Sequence, residues 1–598
     1  MTRFSRVAFG LLVLATFAAF FVAQRIKQSP SVIQRVQGGP SVFSPNGDGR
    51  YDQLAFSFRL KEADRVDVAM VSSDGDEVRS LRRGLPVTAY LQVPTIRWDG
   101  RDDDGRRVPD GVYRPRITLR RQGRSIVVPK AFRLDTRAPR PRVAYVGPDP
   151  APVAELLPRP GGGAATIGLA DTGRRTRVVI VRTAPLPMRK IVGLRVPDGV
   201  RKVRWDGRVQ GRRVASGTFL AVAETRDAAG NIGTSVPVDA RGFPRLAPGQ
   251  RRLPGRGGIS VRYLAVQPPT EPVRAGTPAE FFVDARGAHY RWSLRRVGGP
   301  IVKRGRRTRV RLRITMPRGV SGAYVLRVTT AAHRTQVAVA VLGARSRRAL
   351  VVLPVMTWQG RNPVDDDGDG LPNLLDLGVG VRLGRVMVRD GLPQGFATHE
   401  APVLGFLDRT GRRYDLTTDV ALAAGRGPRL EDHRGVLVPG DARWLPAELG
   451  ARLGRFVRRG GVVASLGTDS LRRTVRVTRR GRLADPSRPA AADLFGARLK
   501  PVVRRRTELT NFSDDIALFA GEEGRFTGVK AYEETAAVGD QADAVATAVT
   551  PAGRPVIVAA RFGRGLIIRT GLPGFATRLT PDPASAQLLA RTWTLLSR

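Results

Sequence analysis

The stretch NPVDDDGDGLPNLLD, residues 362–376, places oxygen-bearing side chains at a spacing suited to a divalent cation. With Asp365 as position 1, Asp367 falls at 3, Asp369 at 5, Gly370 at 6, Leu371 at 7, Asn373 at 9 and Asp376 at 12. In a calcium loop the acids at 1, 3 and 5 converge as the chain turns at glycine. A backbone carbonyl serves at 7 and an acid returns at 12. The expected ligands of Ca2+ are therefore Asp365, Asp367, Asp369, the Leu371 carbonyl, Asn373 and Asp376. Aspartate at the twelfth position, where glutamate is usual, shortens the last ligand. The alternative is a solvated loop held by Asx turns. A second set of oxygens, Asn46, Asp48 and Asp52 in VFSPNGDGRYD, poses the same choice between metal and capped turn.

Other chemistry is sparse. The chain has no cysteine, which excludes disulfides, thiolate metal sites and a cysteine nucleophile. Its histidines, His289, His333, His399 and His433, form no zinc-ligand spacing. There are 101 Lys and Arg against 52 Asp and Glu, a net charge of +49. A field of this sign favours anionic partners such as lipid headgroups or an acidic cell-wall polymer or glycan. Nucleic acid is not expected, because the basic residues are spread through every region and no recognition module stands out.

The elements that must carry these residues divide into several domains, since 598 residues exceed one core. Residues 1–27 hold an apolar run, 7–23, between Arg3, Arg6 and Arg25, Lys27. This reads as a signal-anchor or a signal peptide, with the anchor preferred because Phe21 spoils the cleavage site. An extracytoplasmic location follows, either tethered to the cytoplasmic membrane through that helix or secreted.

Two distant stretches repeat: WDGRDDDGRRVPDGVY from Trp98 and WDGRVQGRRVASGTF from Trp205. Each follows a short β pattern and leads into another, with glycine turns and an aromatic end. The expected domains are β-sandwiches at 38–137 and 160–240, a flexible linker at 241–258, and a third sandwich at 259–343. After Arg348 the pattern changes. ALVVLPV, YDLTTD, RGVLVPG and VVASLG read as buried strands, interleaved with helices near residues 399–411 and 445–460. That order argues an open α/β sheet over 348–598. PVIVAARFGRGLIIRTG reads as a hairpin and SAQLLARTWTLL as a terminal helix. Loops beyond the strand ends would bring Trp358, Gln359, Asn362, Asp419 and Trp444 to one ligand crevice. His399 is a candidate base there, oriented by Glu400 or Asp441.

Two resemblances add to this reading. The WDG repeats resemble the immunoglobulin-like domain named after the flagellar hook-capping protein. Its pattern falls on Trp98, Asp99, Gly100, Asp102, Gly105, Val108, Gly111 and Tyr113. VVLPVMTWQGRN, YDLTTD and GVLVPGDARW resemble the C-terminal domain of the large-subunit family of N,N-dimethylformamidase, of glutamine-amidotransferase-like architecture. The resemblance implies an iron site of tyrosines and a glutamate. Here Arg361 and Arg443 stand at the tyrosine places and Ala442 at the glutamate place. Guanidinium and methyl groups do not ligate iron, so iron is not expected. The resulting expectation is a surface-binding or scaffolding protein of the cell envelope, three immunoglobulin-like sandwiches carrying a calcium-stabilised, non-catalytic α/β head. The alternative is an extracytoplasmic hydrolase of amide or glycan-derived substrates.

Overall fold

The computed structural model describes residues 12–19, 32–147, 154–156, 164–173, 175–388, 391–519 and 524–598. Residues 12–19 are helical, and the rest of the expected N-terminal anchor lies outside the described residues. Among the described residues no helix is long and apolar enough to cross a membrane. The chain is mostly β and builds many separate sheets. It forms two compact units, one made chiefly of Met1–Pro141 and one reaching Arg598.

In the first unit, strands Ile33–Gly39, Leu54–Leu60 and Ile96–Trp98 form one sheet. A second sheet carries Asp64–Val71, Glu77–Val87 and Gly111–Leu119. LAFSFRL alternates buried and half-buried positions, as a strand with one face on a core requires. Phe43, Phe56, Phe58, Trp98 and Phe132 fill the space between the sheets.

The repeated motif has the same physical design in each unit. Trp98 Nε1 donates to the Arg101 carbonyl at 2.8 Å, and Trp205 Nε1 to that of Arg208 at 3.2 Å. Asp99 and Asp206 accept from the backbone N–H two residues on. Gly100 and Gly207 take φ of 72° and 74°, a left-handed turn that disfavours any side chain. The arginine that follows donates to the Gly105 or Gly211 carbonyl. The indole then packs on Tyr113, centroids 5.0 Å apart, or on Phe219 at 5.3 Å.

Most of the second β module and all of the third lie in the other unit, with boundaries that differ from the expected ones. Arg142–Val146 and Gly258–Val261 pair into the second module's sheets, so it is not confined to 160–240. The expected linker is not free either. Leu253 is buried with Val181, Leu220 and Val222, because an apolar side chain beside an open sheet face finds cover there. The third module spans strands from Ala265–Gln267 to Arg334–Leu342 in two sheets.

The C-terminal region is organised by one nine-stranded sheet. Its strands in chain order are β1 (Ala349–Leu353), β2 (Asp415–Thr418), β3 (Gly435–Val438), β4 (Val462–Ser465), β5 (Thr507–Asp514), β6 (Phe526–Val529), β7 (Ala542–Val549), β8 (Pro555–Phe562) and β9 (Gly565–Arg569). The spatial order is β2-β1-β3-β4-β9-β8-β7-β5-β6. Strands β2, β1, β3, β4 and β9 run parallel, and the rest are antiparallel. Every residue of β1, β2 and β3 is buried, because helices cover both faces. Val351 and Leu353 meet α2 (Glu400–Arg409) and α5 (Pro583–Ser597). Leu350 and Val352 meet α3 (Asp419–Ala423) and α4 (Ala447–Arg458). The TWQG segment, expected as a loop, is the end of a short helix, α1 (Val355–Gly360).

Replacing Trp98 with Ala deletes a buried ring and its N–H bond. The expected cost is about 3–5 kcal/mol. Calorimetry should show one unfolding transition moved to lower temperature, with the same shift absent from a conservative Trp98→Phe change of smaller cost. An unmoved trace for Trp98→Ala would remove the packing role assigned to the motif.

Candidate functional site

Beyond the carboxyl ends of β1 and β3, a cavity of about 250 Å3 has Trp358, Arg361, Thr398, His399, Glu400 and Asp441 in its walls. The three expected catalytic residues are thus brought to one space. Glu400 opens α2 and is 2% exposed. Its Oε1 accepts from Trp358 Nε1 at 3.2 Å, while its Oε2 is buried with no hydrogen-bond partner. Burial, and secondarily the Asp441 charge, push the Glu400 carboxyl up to about 7. Gly440 makes this placement feasible, since a Cβ there would collide with Glu400 Oε1.

The geometry changes the expected roles. Among the described residues the His399 imidazole makes no hydrogen bond to Glu400 or Asp441. Its backbone N–H donates to the Gly395 carbonyl at 2.8 Å. Asp441 instead accepts from the Thr468 N–H at 3.0 Å. Glu400 is therefore the perturbed group, not the orienting one.

Most of the remaining crevice candidates serve the fold. Asn362 Nδ2 donates to Gln359 Oε1 at 3.3 Å and to the Val386 carbonyl at 3.1 Å. Gln359 Nε2 donates to the Arg385 carbonyl at 2.9 Å. Asp419 is buried and accepts from the N–H of Met356 at 3.1 Å and of Val420 at 2.8 Å. Burial pushes its carboxyl up to about 8. Trp444 is 0% exposed under the Arg473 guanidinium. Of that set only Trp358 lines the cavity. The reason is α1: winding TWQG into a helix turns Gln359 away from the side that carries Trp358. Arg361, Gly440 and Gly395 were not singled out for this cavity from sequence, since an isolated arginine or glycine has no periodic signal.

The acidic loop closes through its own amides. Asp365 Oδ1 accepts from the N–H of Gly368 at 2.7 Å and Asp367 at 3.2 Å, and Oδ2 from Gly370 at 2.8 Å. One oxygen each from Asp365, Asp367 and Asp369 lies within 4.8 Å of the others. Burial first, then the neighbouring charges, push Asp365 up to about 7 and Asp369 upward. Three converging carboxylates form a cluster whose oxygens could hold a metal ion. Two expected ligands are elsewhere. Asp376 faces Arg443 at 3.6 Å and Arg361 at 3.8 Å, because two guanidinium groups attract it more than a crowded acidic cluster does. Asn373 Oδ1 accepts from the Asp366 N–H. At Leu371 the backbone N–H is held by Asp369 Oδ1 at 2.7 Å.

The other oxygen set, Asn46, Asp48 and Asp52, closes as a capped turn. Asp52 accepts from Gly47 and Gly49 N–H, both at 2.7 Å. Asn46 and Asp48 each accept from the N–H two residues on.

The Asp365 loop also fastens the sheet region to the second β module. Gly258 N–H donates to the Gly368 carbonyl at 2.9 Å, and Leu253 N–H to Asp369 Oδ2 at 2.7 Å. The Thr183 hydroxyl donates to the Gly370 carbonyl. A Cβ on Gly258 would overlap Asp365 Oδ2 and the Gly368 carbonyl.

The raised Glu400 value has a stability consequence. In the unfolded chain the group ionises near 4.3, and in the folded chain near 7. Its contribution is complete below the lower value and is lost as pH rises through the upper one. Asp365, Asp419 and Glu533 shift in the same direction. Denaturant titrations at pH 5 and pH 8 should show wild type losing stability across that interval. Glu400→Gln should remove part of the loss, on the order of 3 kcal/mol. An identical pH dependence in the variant would contradict the buried neutral carboxyl. A Gly258→Ala change should destabilise the same unit by about 1–3 kcal/mol through overpacking, read from the same titrations.

No curated protein matches the chain. Among solved structures it is similar to an exo-beta-1,4-mannosidase from Opitutaceae bacterium strain TAV5, at 12% identity and TM-score 0.24. That match covers 42% of this chain and 36% of the enzyme. A beta-galactosidase from Bacillus circulans sp. alkalophilus matches at 12% identity and TM-score 0.23, over 40% of this chain and 31% of that one. An I-band fragment of titin matches at 10% identity and TM-score 0.22, over 52% and 98%. The chain thus spans about a third of the length of the two glycosidases. At these TM-scores none carries a functional argument. The C-terminal resemblance is upheld by family: residues 307–560 match the family described as N,N-dimethylformamidase beta subunit-like, C-terminal.

Proposed function

We propose that the chain is an extracytoplasmic binding protein of the cell envelope, tethered through its N-terminal segment. In this reading three immunoglobulin-like modules carry an α/β head. Calcium held by Asp365, Asp367 and Asp369 neutralises the loop that joins the head to the second module. The head's crevice takes an amide-bearing group of an anionic wall polymer or glycan. The observation that carries this reading is the unpartnered Oε2 of Glu400 facing a small cavity. A buried acceptor without a donor costs about 1–3 kcal/mol, which a ligand N–H recovers. Arg361, on the same wall, can donate to a ligand carbonyl. The net charge of +49 draws an acidic polymer toward the site.

A second reading, hydrolysis, is favoured by the Glu400 carboxyl lying near 7 beside His399 and Asp441. As carboxylate, Glu400 would take a proton from water attacking an amide carbonyl, with Arg361 holding the developing oxyanion. It would return the proton to the departing amine, giving acid and amine from amide and water.

Calorimetric titration of the full chain with N-acetylglucosamine oligomers tests the binding. Glu400→Gln puts an NH2 where the acceptor stood and should weaken binding at least about tenfold, by the loss of one buried hydrogen bond. No heat with wild type would sink the reading. Amine release from the same oligomers separates the two readings. Hydrolysis requires a rate that climbs with pH to a plateau above about 7 and vanishes in Glu400→Gln. Separately, calcium should raise the melting temperature of wild type but not of Asp367→Ala with Asp369→Ala. Equal responses would remove the cation from the proposal.

A further inference from the structure

We infer that a cleft bordered by the acidic loop, α3 and the start of α4 binds an extended polymer of polyol phosphate. The cleft has a volume of about 1210 Å3 and shares no wall residue with the Glu400 cavity. Sites for single small molecules usually occupy about 300–1,000 Å3, so this space suits several repeats of a chain.

Seven arginines and five carboxylates line the cleft. Glu271 is taken by Arg426, Asp366 by Arg382 and Arg385, and Asp485 by Arg476. Asp365 accepts from the amides of its own loop, and Glu448 is the fifth acid. Two positive sites remain unmet. On the inner wall Arg385 is 6% exposed, and its Nε has no hydrogen-bond partner. Burial pushes this guanidinium down to about 10 against the pull of Asp366, while Arg382, Arg482 and Arg262 crowd it with like charge. At the rim, Arg479 and Arg480 sit in the turn between strands Arg476–Val477 and Arg482–Ala484. Gly481 N–H donates to the Thr478 carbonyl at 3.0 Å and Thr478 N–H to that of Arg482 at 2.8 Å, which holds the turn in place. Both arginines are exposed, and among the described residues neither guanidinium has an ion pair or a hydrogen bond. The start of α4, Pro446 to Leu449, lies in the same wall. No side chain caps it, so its first amides lack a side-chain acceptor and suit a phosphate oxygen.

The lining also selects among polyanions. Among the described residues that form the cleft none is aromatic. A nucleic-acid strand would find no platform on which to stack its bases. The pyranose rings of a glycan would find no aromatic face either. The apolar part of the wall is small and aliphatic instead, Val420, Ala421, Ala423 and Ala424 on one element and Val475 and Val477 on another. Short open-chain carbon units fit beside such residues, and the phosphates between them suit the planar forks of the arginines. A concave site of this kind takes a chain and not a planar surface.

Calorimetric titration of the full chain with synthetic glycerol-phosphate oligomers tests the inference. The oligomers carry no amide, so they do not report on the Glu400 cavity, and either proposal can fail alone. R479A/R480A should weaken binding at least about tenfold, through lost charge-assisted hydrogen bonds. R201A/R204A removes the same charge from exposed positions of the second module and should weaken it less than about threefold, as distant charges are screened. Ala424→Phe, at an exposed wall position, adds bulk to the cleft at unchanged charge and should also weaken binding. No heat with wild type would overturn the inference. Equal losses in the two arginine pairs would do so as well, because attraction would then belong to the whole chain. Equal affinity for an oligothymidylate of the same charge, with the same dependence on Arg479 and Arg480, would reassign the cleft to nucleic acid.

Discussion

The conformation of the C-terminal region depends on one buried carboxylate. Asp365 receives three backbone N–H groups from its own loop, and its Oδ2 occupies the space that a side chain on residue 258 would need. Those bonds aim the Gly368 and Gly370 carbonyls outward, where Gly258 and Thr183 of the second module donate to them. The loop is thus both a turn and a fastener. Its weakness is electrostatic. The neighbouring Asp366 is attended by Arg382 and Arg385, whereas the converging oxygens of Asp365, Asp367 and Asp369 crowd one another, and the mutual charge adds to burial in pushing Asp365 and Asp369 upward.

From the loop, the chain of contacts runs directly to the crevice. Asp376 leaves the acidic cluster for Arg361 and Arg443, and Arg443 also faces Asp469 at 3.5 Å. Arg443 N–H donates to Thr357 Oγ1 at 2.9 Å, which ties this lattice to α1. Asp469 N–H in turn donates to Glu533 at 2.9 Å. The positions at which the resemblance implies tyrosine ligands are therefore filled by two guanidiniums already engaged with carboxylates. Arg361 shares the cavity wall with Glu400, so this ion-pair lattice borders the crevice directly.

Local patterns made much of the fold legible. Alternation in LAFSFRL, unbroken apolar runs in β1 and β3, and the helical spacing of Leu449, Leu453 and Phe456 each record the burial that the element achieves. The WDG motif was legible because its residues bond within a few positions of one another. What sequence hid is what depends on distant partners. Ile259–Val261 read as the start of the third module and Gly258 as the end of the linker, because so short a run carries no period, yet pairing with Gly217–Arg226 makes them a strand of the second module. Asp376 fitted the calcium spacing, but only the fold reveals the two arginines that claim it. His399, Glu400 and Asp441 were brought together as expected, while the division of labour among them was set by Trp358 and Gly440.

A net charge of +49 would by itself pull every carboxyl toward its ionised form. Asp67 behaves that way: hydrogen bonding to the Arg120 guanidinium holds it below its usual range. Asp365, Glu400, Asp419 and Glu533 go the other way, each with burial as the main cause. The two trends coexist because the surface field is screened within about 10 Å in salt, while desolvation acts on the group itself. An arginine-rich surface and a proton-retaining interior are therefore independent properties of this chain. The first acts only over the screened range of the surface charges, and the second sets the protonation of Glu400 inside its cavity.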